Sequence, residues 1–230
     1  MNPIKPIFLL AGGHPLDSAS MVSCLSSALQ ACGREKPRIA YIGTANKDNL
    51  FFFTAMKTLL HEAGAGTVAL IRLAKPKPDI QAAKKELGEA DAVFLSGGEV
   101  EDGMSWLARH ELTGYLRDLY SQGKLFIGLS AGSIMMGTHW VRWAKPDDDA
   151  TAVLFDCLGL VPTIFDTHAE DEDWKELKMT LLLMGPDASG YGIPRDGMVR
   201  ADDQGRLTHS GNDLHYYVNN KGHVQKAQDG

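Results

Sequence analysis

The segment FIGLSAGSIMMG, residues 126–137, is the one on which the reading of this chain turns. Phe126 to Leu129 are apolar apart from Gly128 and have the character of a buried strand. Ser130 then interrupts the run, and Ala131 and Gly132 open what reads as a helix. A lone hydroxyl between a hydrophobic strand and a helix, flanked by glycines, has two explanations. It is either a tight turn that tolerates only small residues or a turn built to hold up a nucleophile.

Working outward, the same strand–helix alternation fills the first two thirds of the chain. Residues 7–12 (IFLLAG), 38–43 (RIAYIG), 66–73 (GTVALIRL), 91–98 (DAVFLSGG) and 124–130 (KLFIGLS) read as short apolar strands, most of them closed by glycine. Helices are predicted between them at 17–33, with Asp17 or Ser18 as cap, and at 49–64, 79–88 and 102–123. Continuous apolar strands alternating with helices predict an α/β fold, with a mostly parallel central sheet covered by helices on both faces. Beyond residue 139 the pattern changes. One more helix is expected at 172–185, and the tail from 191 onward reads as short antiparallel strands added to the same domain, with Asp-Gln-Gly and Asn-Lys-Gly turns. The expectation is a single domain over 1–230.

Composition bounds the function. Of 230 residues, 44% are hydrophobic and 23% charged, the balance of an ordinary globular protein. A net charge of −6 with no long basic run gives no footprint for nucleic acid. The apolar run near the N-terminus is too short for a signal-peptide core or a membrane span, so a cytoplasmic protein without membrane association is expected. Cys24, Cys32 and Cys157 show no zinc-ligand spacing. Cys24 and Cys32 lie roughly 12 Å apart along one predicted helix, too far to bridge. They are read as free thiols, and neither a metal nor an organic cofactor is expected.

Gly128 to Gly132 (GLSAG) fit the pattern G-x-S-x-G with a strand before and a helix after, the setting of a nucleophile elbow. Such a turn exposes the serine oxygen at the carboxyl edge of the sheet, where open α/β sheets bind ligands. It also points the N–H of Ala131 outward from a helix start, where it can stabilise an oxyanion. Gly97 and Gly98, closing the preceding strand, permit a second such donor from Gly98. A serine needs a base. Of eight histidines, His168 alone sits beyond the serine in a polar loop that reaches the same edge. Asp196, in the turn of 192–199 (GIPRDGMV), is the first choice for a third group to fix the imidazole, with Asp166 and Asp171 as alternatives.

The Gly-Gly loop, the G-x-S-A-G elbow and the segment LGLVPTIFDTH (158–168) together resemble peptidase family S51, which includes aspartyl dipeptidase (peptidase E) and cyanophycinase. The resemblance runs over essentially the whole chain. It implies a fold similar to the class I glutamine amidotransferase domain, flavodoxin-like, with Ser130 as nucleophile and His168 as base. The family's acid is a glutamate in a G-[ILV]-x-E-G turn. Aligned without a gap it falls on Arg195, and with a one-residue shift on Asp196. Glu99-Val100 also replaces the pair usual after the two glycines. Glu170, Asp171, Glu172 and Asp173 crowd the stretch after His168, where they either charge a helix start or repel an acidic substrate.

The function expected is a serine peptidase or amidase acting through an acyl-enzyme on a small peptide, without strict Asp-X specificity and preferring a neutral or basic first residue. Gly97, Glu99, Asp166 and Asp171 are the candidate substrate contacts. The rivals are a thiol enzyme of the amidotransferase type, disfavoured because the elbow residue is serine, and a catalytically silent binding module. The helical faces can support a homodimer.

Overall fold

The computed structural model describes residues 3–12, 18–146 and 148–228. His14, which its place beside Gly12 and Gly13 leads one to expect in a turn, and Asp17, one of the two proposed caps, lie outside the described residues. The chain runs β1 (Ile7–Leu10), α1 (Ser18–Gln30), β2 (Arg38–Ile42), α2 (Leu50–Glu62), β3 (Thr67–Ile71), α3 (Ile80–Glu89), β4 (Ala92–Leu95), α4 (Val100–Arg109), α5 (Thr113–Ser121), β5 (Leu125–Leu129) and α6 (Ala131–Met136). It continues through β6 (His139–Trp143), β7 (Ala152–Asp156), β8 (Ile164–Thr167), α7 (Lys175–Met184), β9 (Ser189–Ile193), β10 (Met198–Ala201), β11 (Leu207–Ser210), β12 (His215–Asn220) and β13 (His223–Lys226).

A seven-stranded sheet has the order β11-β10-β1-β5-β4-β2-β3. The five strands from β1 to β3 in that order are mutually parallel, and β10 joins β1 antiparallel. Alternate residues of each strand feed opposite faces, as the two-residue period of a strand requires. Leu9, Ile42, Leu95 and Phe126 face a core shared with α3 to α6. Leu10, Tyr41, Phe94 and Ile127 face one shared with α1 and α2. Both faces are therefore apolar, which is why the strands read as unbroken hydrophobic runs.

Local signals account for the helix starts. The Asn49 side chain accepts from the N–H groups of Phe51 and Phe52 at 2.9 and 3.1 Å, opening α2. Asp79 does the same for Ala82 at 2.9 Å, opening α3. The helix expected over 102–123 is in fact two. Glu111 takes φ 55°, and the N–H of Leu112 reaches back to the Leu107 carbonyl at 2.9 Å. This is a Schellman-type stop, in which glycine usually holds the left-handed position. Glutamate there left no mark in the sequence. Burial of Leu107 and Leu112 in the same core cluster offsets the unfavourable φ.

The tail also departs from expectation. β10 and β11 extend the main sheet, but β9, β12 and β13 build a separate four-stranded sheet in which β8 pairs parallel with β9. β6 and β7 form a hairpin of their own. A small core of Ile164, Trp174, Leu177, Leu181 and Tyr217 holds α7 to the four-stranded sheet. No helix of the described residues is long and apolar enough to cross a membrane.

Gly132 packs its Cα against β4, and a Cβ there would lie 2.1 Å from the Leu95 carbonyl oxygen. Since that atom is backbone inside the central sheet, neither partner can yield easily. Gly132→Ala is therefore expected to cost about 1–3 kcal/mol and lower the melting temperature by roughly 3–10 °C in a thermal melt followed by circular dichroism. An unchanged melting temperature would show that the elbow is not tightly packed on β4.

Candidate active site

Ser130 occupies the sharp turn between β5 and α6 with φ 51° and ψ −121°. These are the angles of the first central position of a type II′ turn, which a residue with a side chain enters at a cost of about 1–3 kcal/mol. The surroundings hold it there. Its N–H donates to the Leu10 carbonyl at 2.8 Å, at the end of β1. Its own carbonyl accepts from the N–H groups of Ser133 and Ile134 at 2.7 and 3.2 Å. The buried Ser133 hydroxyl donates to the same Leu10 carbonyl at 2.8 Å. The end of β1 thus anchors both the turn and the first turn of α6.

The Gly-Gly loop after β4 lies against this turn. A Cβ on Gly97 would be 3.2 Å from the Ser130 Cβ and 3.7 Å from its Oγ. Gly98 has φ 141°, and any side chain there would strike the Ala45 carbonyl at 2.2 Å. The loop is tied down from β2 and the turn after it. Asn46 Nδ2 donates to the Gly97 carbonyl and to Ser96 Oγ, both at 2.9 Å, and the Tyr41 hydroxyl donates to Ser96 Oγ at 2.6 Å. Tyr41 and Asn46 lie in one stretch, 50 or more residues before Ser96, and no local motif marks the three. Among the described residues, the N–H groups of Gly98 and Ala131 have no protein acceptor. Two unspent donors therefore flank the serine.

His168 follows β8, and its Nε2 lies 2.7 Å from Ser130 Oγ. Its backbone is also left-handed, at φ 45°, and its N–H donates to the Ile193 carbonyl at 2.9 Å. The segment behind it is pinned by Trp174, which is fully buried and lies against Gly192, where a Cβ would come within 2.4 Å of the ring. The indole N–H of Trp174 donates to His215 Nδ1 at 3.1 Å. Thus β8, β9 and β12, outside the main sheet, set the position of the imidazole.

The third member expected of this group is not assembled. Asp196 borders a small hollow with Met21, Cys24 and Ser20, and its charge helps raise the Cys24 thiol pKa behind the larger effect of burial. Both oxygens of Asp166 accept backbone N–H groups, from Thr167 at 2.7 Å and Leu177 at 3.3 Å. Asp171 is paired with Arg195 at 2.6 Å. Among the described residues no carboxylate hydrogen-bonds the second nitrogen of His168, so the arrangement is a Ser–His pair. Asp196 instead stands beside α1, close enough for its charge to act on Cys24. Cys157 is buried and its thiol is pushed up to about 12, chiefly by burial, which leaves it no nucleophilic role.

The serine stands between two unlike hollows. One, of about 530 Å³, is walled by Met21 of α1 and by Phe51, Phe52, Ala55, Met56 and Leu59 of α2, with Arg195 at its margin. Phe51 is 85% exposed, an unusual place for a phenylalanine unless something covers it. The other, of about 270 Å³, is walled by Glu99, Asp166, Glu172 and Glu176, together with Trp140 and Thr167. Of the four acids after His168, only Glu172 reaches it. Glu170 accepts the Arg195 N–H at 2.7 Å, Asp171 pairs with the Arg195 guanidinium, and Asp173 pairs with Lys178 at 2.7 Å. Of the expected substrate contacts, Glu99 and Asp166 line this hollow, Gly97 lines the apolar one and Asp171 lines neither. Glu176, held by the Trp140 indole N–H at 2.6 Å, was hidden in the sequence as an ordinary helix residue.

The model of peptidase family S51 matches residues 7–208. Peptidase E of Shewanella denitrificans is 27% identical over 85 residues, a segment spanning 37% of this chain and 36% of that relative. The chain thus spans about a third of that relative's length. Among solved structures, a peptidase from an acI-B1 Actinobacterium superposes with a TM-score of 0.74 at 15% identity, covering 99% of this chain and 96% of its own. A protein of Listeria monocytogenes EGD-e assigned to peptidase E does so with a TM-score of 0.66 at 17% identity, covering 91% and 99%. These two likenesses show the fold.

Burial raises the Asp166 carboxyl to about 7 from an ordinary 3.8, with the neighbouring Glu176 adding to the effect and the two backbone N–H groups opposing it. Near pH 4 the group is protonated in the folded state, and it gives up that proton only as pH rises through 7. The unfolded chain gives it up earlier, so folding loses stability across this window. Asp166→Asn removes that loss. Between pH 5 and 8 its melting temperature is expected to fall by at least about 3 °C less than that of the wild type, measured by calorimetry. Parallel declines would show that Asp166 ionises normally.

Proposed function

The chain belongs to peptidase family S51, and from that premise we propose that it is a serine-type peptidase that cleaves small peptides through an acyl-enzyme. The observation that carries this reading is the 2.7 Å approach of Ser130 Oγ to His168 Nε2 on a turn strained to φ 51°. Strain of this kind is retained where the surroundings over-determine it, and here it lifts the hydroxyl clear of the sheet edge.

In the proposed mechanism His168 takes the hydroxyl proton as Ser130 Oγ attacks the scissile carbonyl. The carbonyl oxygen becomes an oxyanion held by the N–H groups of Gly98 and Ala131, neither of which has an acceptor among the described residues. The tetrahedral intermediate collapses, His168 passes its proton to the leaving amine, and an ester to Ser130 remains. Water, deprotonated by the same imidazole, then attacks the ester and releases the acid. With no carboxylate on its second nitrogen, His168 is oriented by its own backbone bond to Ile193 and by the packing of the 168–174 segment. A Ser–His pair of this kind retains the base and the oxyanion donors and dispenses with the fixing acid.

A fluorophosphonate probe followed by intact mass tests this reading. One adduct is expected on the wild type and none on Ser130→Ala. His168→Ala is expected to slow labelling about 100-fold or more, the usual contribution of a positioned base. Asp196→Asn is expected to label within about threefold of the wild type, because its carboxylate does not reach the imidazole. Labelling of His168→Ala at the wild-type rate would remove the histidine from the mechanism. Asp196→Asn slowed as much as His168→Ala would restore the triad.

A further inference from the structure

The two hollows beside Ser130 differ in chemistry, and that difference assigns a direction to the substrate. We propose that the acidic hollow receives the residue being acylated, and that it selects a basic one, lysine or arginine, at the amino terminus of a short peptide. This rests on the serine-peptidase reading above.

The argument begins with what lines the hollow. Glu99 enters from the start of α4, Glu172 from the loop after His168 and Glu176 from α7, with Asp166 at the end of β8. Among the described residues His168 is the only basic side chain in the lining. Arg195 and Lys178 are engaged by Asp171 and Asp173 outside the hollow. Lys175, next to Glu176, is not part of the lining and lies over the Trp143 ring at 5.5 Å, although its charge still reaches Glu176. A second observation is independent of the acids. Thr167 lines the same hollow, is 3% exposed, and its Oγ1 has no hydrogen-bond partner among the described residues. A buried hydroxyl without a partner costs free energy unless a ligand supplies one. Its lone pairs can accept from an ammonium or guanidinium N–H.

The occupant is organic. Among the described residues no three His, Cys, Asp or Glu side chains converge as a metal site would require. A hollow of about 270 Å³ holds one residue and no long peptide. The orientation follows from the charges of the peptide. In an unblocked dipeptide the ammonium lies on the acyl side of the bond and the carboxylate on the leaving side. A carboxylate would be repelled from Glu99 and Glu172, whereas the ammonium and a basic side chain are attracted. The leaving residue then falls in the apolar hollow against Met21 and Phe52, where Arg195 at the margin can meet its carboxylate. An aspartate at the first position meets like charge on three elements.

The test compares kcat/KM for Lys-Leu, Leu-Leu and Asp-Leu with purified full-length protein, alongside fluorophosphonate labelling. Lys-Leu is expected to exceed Leu-Leu about tenfold and Asp-Leu by more. Glu172→Lys, an exposed position where folding is not at risk, is expected to reduce the Lys-Leu to Leu-Leu ratio at least fivefold. A wild type that labels at Ser130 but cleaves Asp-Leu as fast as Lys-Leu, or cleaves none of the three, overturns this proposal and leaves the serine reading standing. So does an unchanged ratio in Glu172→Lys. Absence of labelling on the wild type overturns the serine reading, and this proposal with it.

Discussion

At the end of β5 the backbone has no room to do anything else. Gly132 stands against the Leu95 carbonyl on one side, and the Ser130 N–H and Ser133 hydroxyl converge on the Leu10 carbonyl on the other. Between these two neighbouring strands the chain must reverse from strand to helix within one residue, and only a left-handed φ at Ser130 accomplishes it. The cost of that conformation is met by parallel-sheet packing on both faces, which fixes β1, β4 and β5 relative to one another. The exposed hydroxyl, the free N–H of Ala131 and the nearness of the Gly97–Gly98 loop are all consequences of this one confined turn.

The imidazole comes from a different part of the architecture. β8, β9 and β12 form a second sheet, and the buried Trp174, packed on Gly192, holds the loop after β8 against it. The site is therefore assembled where two sheets meet: the main sheet supplies the nucleophile and the oxyanion donors, and the smaller sheet supplies the base. That division also explains the unlike walls around the serine. The apolar hollow is bounded by the helices on one face of the main sheet, α1 and α2, and the acidic one by α7 and the start of α4. Burial within the second wall raises the pKa of both Asp166 and Glu176, with the Trp140 indole N–H opposing the rise at Glu176.

Much of this was legible in the amino-acid order. The five parallel strands announce themselves as apolar runs because both of their faces are covered, and the elbow announces itself as G-x-S-x-G between a strand and a helix. His168 was found by elimination among the histidines. Local signals failed where a tertiary contact overrode a local preference. Glu111 stops a helix in a position that glycine usually holds, supported by the burial of Leu107 and Leu112. The acids after His168 read as one negative patch, whereas Arg195 and Lys178 engage three of them.

The sequence by itself determined the class of fold, the position of the nucleophile and the small residues around it, because those depend on hydrophobic periodicity and steric size within a few adjacent residues. Only the tertiary structure decided which groups stand across from the serine. It brought His168 to hydrogen-bonding distance, set Asp196 beside α1 and gathered Glu99, Glu172 and Glu176 from three elements into one wall. Side-chain direction at a loop is set by what packs behind it. That information lies in strands and helices far along the chain, not in the residues on either side.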